Sequence, residues 1–337
     1  MAPKISVVIP LYNKELYIQR AIDSVLNQSF QNFELIIIDS SSDRSTYIVK
    51  QYADPRIIHI IRERTRAAPA RNLGVQLAHS DFIAFIDADD EWQPDHLESL
   101  ISLREKFPDA GLYSTPYVKL KPDGRPRVML FVGINPPPWE GYLPDYLWIC
   151  SRGDEPVNSS SCAIPRDVFS RTGGFPEKLE YGEDQFLWGK ISLSYPVAYS
   201  WQGLAVYHTD ASGRICDELH DVTQHPFSEY LKTELMKNTI PQNKRDSCYA
   251  YIRRKRITDI FGSAIVGKKN RTCSDILGNK EINQHQRIWN NFKKRICRFL
   301  KQLHDSDLHD SLRLFTCWIF RYHNPGKDYE NHIPVRR

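Results

Sequence analysis

Ile5-Ser6-Val7-Val8-Ile9-Pro10, running into Leu11-Tyr12-Asn13, is the stretch whose reading decides the fold. It is rich in β-branched residues with no polar alternation, the mark of a strand covered on both faces, and such strands belong to parallel sheets. Tyr12-Asn13 supplies the turn that ends it. Immediately after, Ile18, Ala21, Ile22, Val25 and Leu26 recur at helical spacing, so 15–27 reads as an amphipathic helix.

The same alternation continues outward from this first unit. Residues 35–38 form a second apolar run ending at Asp39, 57–61 a third, and 82–86 a fourth ending at Asp87, with helical patterns at 46–52, 68–78 and 95–107 between or after them. A strand–helix–strand series of this kind predicts an α/β, doubly wound sheet that binds ligands beyond the carboxyl ends of its strands. Pro10, Asp39 and Asp87 all fall at those ends. Past Gly111 the pattern breaks into shorter strands and loops rich in proline, including Pro136-Pro137-Pro138, before a helix at 183–193. From about residue 217 it is helical and polar, and no internal repeat occurs.

The 337 residues can bury an α/β core of about 200 residues and leave material for an appendage. With 41% hydrophobic and 26% charged residues, wholesale disorder is excluded. The run at 5–10 is too short for the core of a signal peptide, and the late run 315–320 is far short of a membrane span, so a cytoplasmic protein without an anchor is expected. Seven scattered cysteines with no C-x-x-C pair read as reduced thiols. Charge is uneven: fourteen Lys and Arg face three acids between 251 and 301, which predicts contact with an anionic surface, lipid or nucleic acid.

Phe82-Ile83-Ala84-Phe85-Ile86-Asp87-Ala88-Asp89-Asp90 drives a buried strand into three carboxylates. Charges at such a place are costly without a compensating cation. A divalent ion holding a diphosphate would supply one, since Mg²⁺ and Mn²⁺ favour one or two carboxylates plus phosphate oxygens. A plainer reading is that Asp90 and its neighbours cap the helix starting near Pro94. Neither G-x-G-x-x-G nor G-x-x-x-x-G-K-[ST] occurs, so dinucleotide and P-loop sites lose their support and phosphate is left to a metal.

The ordered blocks Val7-Val8-Ile9-Pro10-Leu11-Tyr12-Asn13, Ser24-Val25-Leu26-Asn27-Gln28-Ser29, Ile36-Ile37-Ile38-Asp39, Ala70-Arg71-Asn72-Leu73-Gly74, Asp87-Ala88-Asp89-Asp90-Glu91-Trp92, Gly173-Gly174-Phe175 and Glu183-Asp184 resemble glycosyltransferase family 2 over about residues 4–210. The resemblance implies a GT-A fold and an inverting, metal-dependent transfer of sugar from a nucleotide diphosphate to an acceptor hydroxyl, with a UDP-sugar as the first expectation. Carried over by position, Pro10, Leu11, Tyr12 and Asp39 line the base pocket and Arg71 completes it. Asp87, with Ala88 beside it, meets the ribose, Asp89 ligates Mn²⁺ or Mg²⁺, and His208 is a late metal or diphosphate contact. Asp184 matches the general base, and a carboxylate at a helix start near Gly182 can accept a hydroxyl proton in a cleft. Glu183 leaves the helix in another direction; both acids also suit the helix dipole, the plainer explanation of the pair. Two departures stand out. Asp39-Ser40-Ser41-Ser42 replaces the usual Asp-Asp-Gly-Ser, and Arg66 stands where a glycine often precedes the Ala-Arg-Asn block, where it could add a phosphate contact.

The expected organisation is a catalytic domain over 1–215, with a donor half at 1–110 and an acceptor half at 111–215, followed by a helical, basic extension over 216–337. Within that extension, Phe292, Ile296, Phe299, Leu300 and Leu303 share one helical arc, and Lys293, Lys294, Arg295, Arg298 and Lys301 fill the rest. That is the pattern of an interfacial helix on anionic membrane, or of a helix packed on the body. Nucleic acid is the weaker partner, since no recognised module appears. Work on a saccharide or lipid-linked acceptor in cell-surface polysaccharide, lipopolysaccharide or glycolipid synthesis is the expected function. A sugar-nucleotide nucleotidyltransferase and a non-catalytic GT-A-like binding protein are the alternatives; the first would carry a Gly- and Arg-rich loop where Leu11-Tyr12-Asn13-Lys14 stands.

Overall fold

In the computed structural model, which describes residues 2–127, 129, 131–211 and 225–267, the N-terminal run becomes β1 (Ile5–Leu11), buried except at Pro10. The amphipathic segment becomes α1 (Ile18–Leu26), which buries Ile18, Ala21, Ile22 and Val25. It begins three residues later than the spacing predicts, because the amides of Tyr17 and Ile18 both turn back onto the Lys14 carbonyl. The alternation continues through β2 (Phe33–Asp39), α2 (Ser45–Val49), β3 (Ile57–Ile61), α3 (Ala67–Leu77), β4 (Phe82–Phe85), β5 (Glu91–Trp92) and α4 (His96–Lys106). Then come β6 (Leu112–Ser114), β7 (Tyr117–Leu120), β8 (Pro126–Arg127), β9 (Glu140–Tyr142), α5 (Tyr146–Arg152), β10 (Cys162–Pro165), α6 (Arg166–Thr172) and α7 (Glu183–Ser194). β11 (Val197–Ser200), β12 (Ala205–His208), α8 (Pro226–Met236) and α9 (Arg245–Gly267) complete the described chain.

The main sheet has the order β3-β2-β1-β4-β10-β6-β11-β9, with β3, β2, β1 and β4 parallel and β10 running antiparallel between β4 and β6. The chain therefore winds outward from β1 to β3 and then returns to the other side of β1. Between β1 and β4 the order reverses, and in sheets of this kind ligands bind beyond the carboxyl ends of the two strands at such a point. A second sheet, β5-β12-β7-β8, sits where the acidic segment leaves β4. Val206 of β12 pairs with Glu91 of β5, which brings the following His208 back to the acidic segment.

Helix α3 lies directly on β1. A Cβ at Gly74 would sit 2.3 Å from the Val8 Cγ1 atom, so the last glycine of the Ala-Arg-Asn-Leu-Gly block is there to let helix and strand approach. The hydrophobic core does not stop at residue 215. Phe227 and Leu231 of α8 and Cys248 and Tyr251 of α9 are buried in the same cluster as β1 and β4. Gly189 of α7 makes room for Phe227, whose ring would lie 2.2 Å from a Cβ there. Cys150, Cys162 and Cys248 are buried free thiols. Among the described residues no helix is long and apolar enough to cross a membrane. The basic helix expected around 292–303 lies outside the described residues.

Replacing Gly74 by Ala should lower stability by about 1–3 kcal/mol through overpacking against Val8, despite the better helix propensity of alanine. In a Val8→Ala background the same change should become near neutral. Urea denaturation of the four proteins of that cycle measures the coupling, and additive effects would remove this explanation of the glycine.

Candidate active site

The end of β2 delivers Asp39 with no solvent exposure at all. Its carboxylate accepts from Thr46 Oγ1 at 2.7 Å, the Ser41 amide at 2.9 Å and His59 Nε2 at 2.9 Å. Burial alone would push its carboxyl up, but the bonds from His59, Thr46 and Ser41 outweigh it and hold the group at about 2. The serine turn that departs from the family pattern is held to the end of β1 by side-chain bonds. Ser41 Oγ accepts from the Asn13 amide, Ser45 Oγ from the Lys14 amide, and Asn13 Oδ1 from the Ser42 amide. Asn13 itself adopts a left-handed conformation that asparagine tolerates well. Leu11 is buried, whereas Tyr12 presents a partly exposed ring with the Arg64 guanidinium 5.2 Å above its centroid. Arg66 pairs with Glu180 across two exposed side chains.

Beyond β4 the three carboxylates separate into different environments. Asp89 Oδ2 lies 2.8 Å from Lys14 Nζ, and Arg20 donates to the Asp89 carbonyl oxygen. Asp90 is fully buried and does not cap α4, whose N-cap residue is Asp95. Instead it accepts from Ser160 Oγ and, at 3.2 Å, from the His208 amide. Burial, together with the charges of Asp87 and Asp89, pushes the Asp90 carboxyl well above the usual range. Ser160 also accepts from the Asp87 amide at 3.0 Å, so one hydroxyl ties both ends of the acidic turn.

Arg71, on α3, is 4% exposed and reaches two acids: Asp87 Oδ1 at 2.5 Å and Glu183 Oε1 at 3.0 Å. Burial disfavours its charge, but Asp87, Glu183 and Asp184 hold the guanidinium charged above its ordinary value. The neighbouring Asn72 side chain donates to the Phe175 carbonyl oxygen and accepts from the Phe175 amide, and Phe175 lies under the Arg71 guanidinium. The Ala-Arg-Asn and Gly-Gly-Phe blocks are thus one contact. Glu183 does leave α7 in a different direction from Asp184, as the spacing predicts, yet it is held in an ion pair rather than idle. Asp184, half-buried, accepts from the Gln185 amide at 2.7 Å and from Ser159 Oγ at 3.5 Å. Burial first, and then the Glu183 charge, pushes its carboxyl up to about 7 against the opposing pull of Arg71.

Lys14, His59, Ser159 and Ser160 escaped the sequence reading. Each is an ordinary residue type whose role comes from a partner 20 or more positions away.

Among the described residues no group of three His, Cys, Asp or Glu side chains could hold a metal alone. His208 Nε2 is buried without a hydrogen-bond partner, 3.7 Å from Glu91 Oε2, and the Asp89 carboxylate lies in the same segment. One carboxylate and one imidazole fit an ion that draws its remaining ligands from a diphosphate and water, the usual habit of Mg²⁺ and Mn²⁺.

An acidic turn at the switch point of a mostly parallel sheet, faced by a carboxylate on a later helix, defines the GT-A class of fold. The chain belongs to glycosyltransferase family 2, whose model, Glycosyl transferase family 2, matches residues 6–173. An uncharacterised glycosyltransferase of Rickettsia bellii is 31% identical over 56% of this chain and 26% of its own length. TuaG of Bacillus subtilis, provisionally assigned as a teichuronic acid biosynthesis glycosyltransferase, is 37% identical over 37% of this chain and 50% of its own. The chain thus spans half or less of either relative. Two solved structures share the fold. S. aureus TarS 1–349 in complex with UDP-GlcNAc has a TM-score of 0.60 at 19% identity, over 74% of this chain and 72% of that one. The mannosyltransferase PcManGT of Pyrobaculum calidifontis, with GDP-Man and Mn²⁺, has a TM-score of 0.61 at 15% identity, over 97% and 89%.

Thr46→Val, which keeps the shape and removes one donor to the buried Asp39, should cost about 1–3 kcal/mol at pH 7. Because the Asp39 carboxyl is depressed to about 2 in the fold from 3.8, the stability it supplies is present above 3.8 and lost as pH falls through about 2. The difference between parent and variant should shrink over that window in denaturant titrations. A difference independent of pH would separate Thr46 from the Asp39 charge.

Proposed function

We propose that this chain transfers a sugar from a nucleotide diphosphate donor to an acceptor hydroxyl with inversion, in the assembly of a cell-surface polysaccharide. The observation that carries this reading is Asp184: a half-buried carboxylate, pushed up to about 7, on the helix tied through Arg71 to the acidic turn. A group poised near neutrality can take a proton in the transition state and release it again.

Residues 1–110 make the donor half and 111–215 the acceptor half. The exposed face of Tyr12 stacks the base, with Pro10 and Leu11 forming the wall; Asp39, fully buried and already accepting from Thr46, Ser41 and His59, holds the turn beneath rather than reaching the base as the resemblance implies. Asp87 and Ala88 meet the ribose, and Arg71 fixes Asp87 in place for that contact. Asp89 and His208 hold the divalent ion, Mn²⁺ or Mg²⁺, which when bound offsets the charge that gathers on the departing diphosphate. Asp184 removes the acceptor proton while the acceptor oxygen forms its bond to the anomeric carbon and the bond to the diphosphate oxygen breaks. One displacement with one base gives inversion, and no protein nucleophile is called for. The UDP-GlcNAc held by TarS and the GDP-Man held by the mannosyltransferase PcManGT are the donors to try first. The tie to cell-surface polymers rests on TuaG.

Asp184→Asn keeps size and loses the basic oxygen, so turnover should fall about 10²- to 10⁴-fold while donor affinity stays near parent. In the parent, kcat/KM should rise with pH through about 7, because the base works only when ionised. Near-parental transfer by Asp184→Asn, read as nucleotide release, would overturn the assignment. Independently, Asp89→Ala should abolish the Mn²⁺-dependent gain in UDP affinity seen by calorimetry. Equal UDP affinity of the parent with and without Mn²⁺ would overturn the metal role.

A further inference from the structure

Behind Asp184 lies a polar cluster that the transfer chemistry has not used. Gln185, the next residue of α7, turns its side-chain oxygen towards two donors: Lys255 Nζ of α9 at 2.8 Å and His225 Nε2, at the N-terminus of α8, at 2.6 Å. An ammonium can only donate, so the amide orientation is fixed, and His225 must carry its proton on Nε2. Burial, and then the Lys255 charge, holds His225 far below its ordinary range, at about 2, so it stays neutral. Lys255 Nζ also lies 2.7 Å from Glu155 Oε1, and both side chains are largely buried.

These bonds join three parts of the chain: the segment after α5, the start of α7 and the helices after residue 225. Glu155 is anchored from its other side, where the Tyr117 hydroxyl donates to its carbonyl oxygen at 2.9 Å. Its carboxylate charge reaches Asp184, and the Lys255 ammonium sits on that carboxylate. Both the backbone of Gln185, which donates to Asp184, and its side chain, which accepts from Lys255, are therefore fixed.

We infer that Lys255 is a positioning residue for transfer: by neutralising Glu155 and holding Gln185 it sets the environment of Asp184, which makes α8 and α9 part of the transfer site. The role in transfer rests on the reading of Asp184 as the base. The charged groups that face Asp184 are Glu183 on its own helix, Arg71 from α3 and Glu155 after α5; the Cys162 thiol of β10 is also near, and behind Glu155 stand Lys255 and neutral His225. Removing Lys255 leaves a buried anion uncompensated near a carboxylate that must ionise. Removing Glu155 takes that anion away.

The two single changes should therefore act in opposite directions, a result that loss of packing alone does not give. Titration of the Asp184 carboxyl by ¹³C NMR on the full chain, its signal identified by absence in Asp184→Asn, is the direct readout. Lys255→Met should raise the midpoint by about one pH unit, and Glu155→Gln should lower it. The double variant Glu155→Gln/Lys255→Met should return it near parent. The acid limb of kcat/KM should move with the NMR midpoint in each case. Midpoints unmoved in folded single variants would overturn the inference, whatever the rates do. Should Lys255→Met fail to fold, the Glu155→Gln midpoint decides: a fall upholds the coupling, and no fall overturns it. Midpoints that move while the rate profile stays put would uphold the coupling and overturn Asp184 as the base.

Discussion

The site depends on one buried cation. Asp87 at the end of a strand and Glu183 and Asp184 at the start of a helix would repel one another in a poorly solvated crevice, and Arg71 stands between them with bonds to the first two. Breaking such a buried pair from one side leaves an uncompensated charge, so the three acids and the guanidinium hold together as a unit. The end of β4 and the start of α7 meet at this guanidinium. Its place is in turn fixed by Phe175 beneath it and by the Asn72 amide, which grips the Phe175 backbone.

A second tie is made by serine. Ser160 links the Asp87 amide to the Asp90 carboxylate, and the next residue back, Ser159, touches Asp184. Two adjacent hydroxyls therefore span the distance between the acidic turn and the helix opposite. Asp90 adds a third connection, through the His208 amide, to the small second sheet. Polar groups far apart in sequence are thus fixed by short polar bonds rather than by a continuous stretch of chain.

That construction explains what could be read in advance. β1, β2 and β4 were legible because a strand buried on both faces writes itself as an apolar run, and Asp39 and Asp87 drew notice because a charge that ends such a run stands out. The blocks around Arg71, Phe175 and Asp184 were legible as a set, although their mutual contact was not. The nearness of Asp90 to Pro94 offers a helix cap as the plainer alternative to a metal contact; a partner 70 positions away in Ser160 rules the cap out. Lys14 and His59 carry no local signal, since a lysine in a turn and a histidine in a strand are common on any surface. The polar pattern after residue 217 hid Phe227, Cys248 and Tyr251, because a helix that buries only a narrow stripe shows little periodicity along its length.

The notch at Gly189 limits how this chain can be recombined with another. Phe227 fills a space in α7 that only a residue without a side chain provides, so α7 and α8 fit as a lock and its bolt. A hybrid joining the first 215 residues of this chain to a foreign tail would lose the ring that the notch at Gly189 is shaped to receive. A seam placed between α7 and α8 would cut through this packed contact.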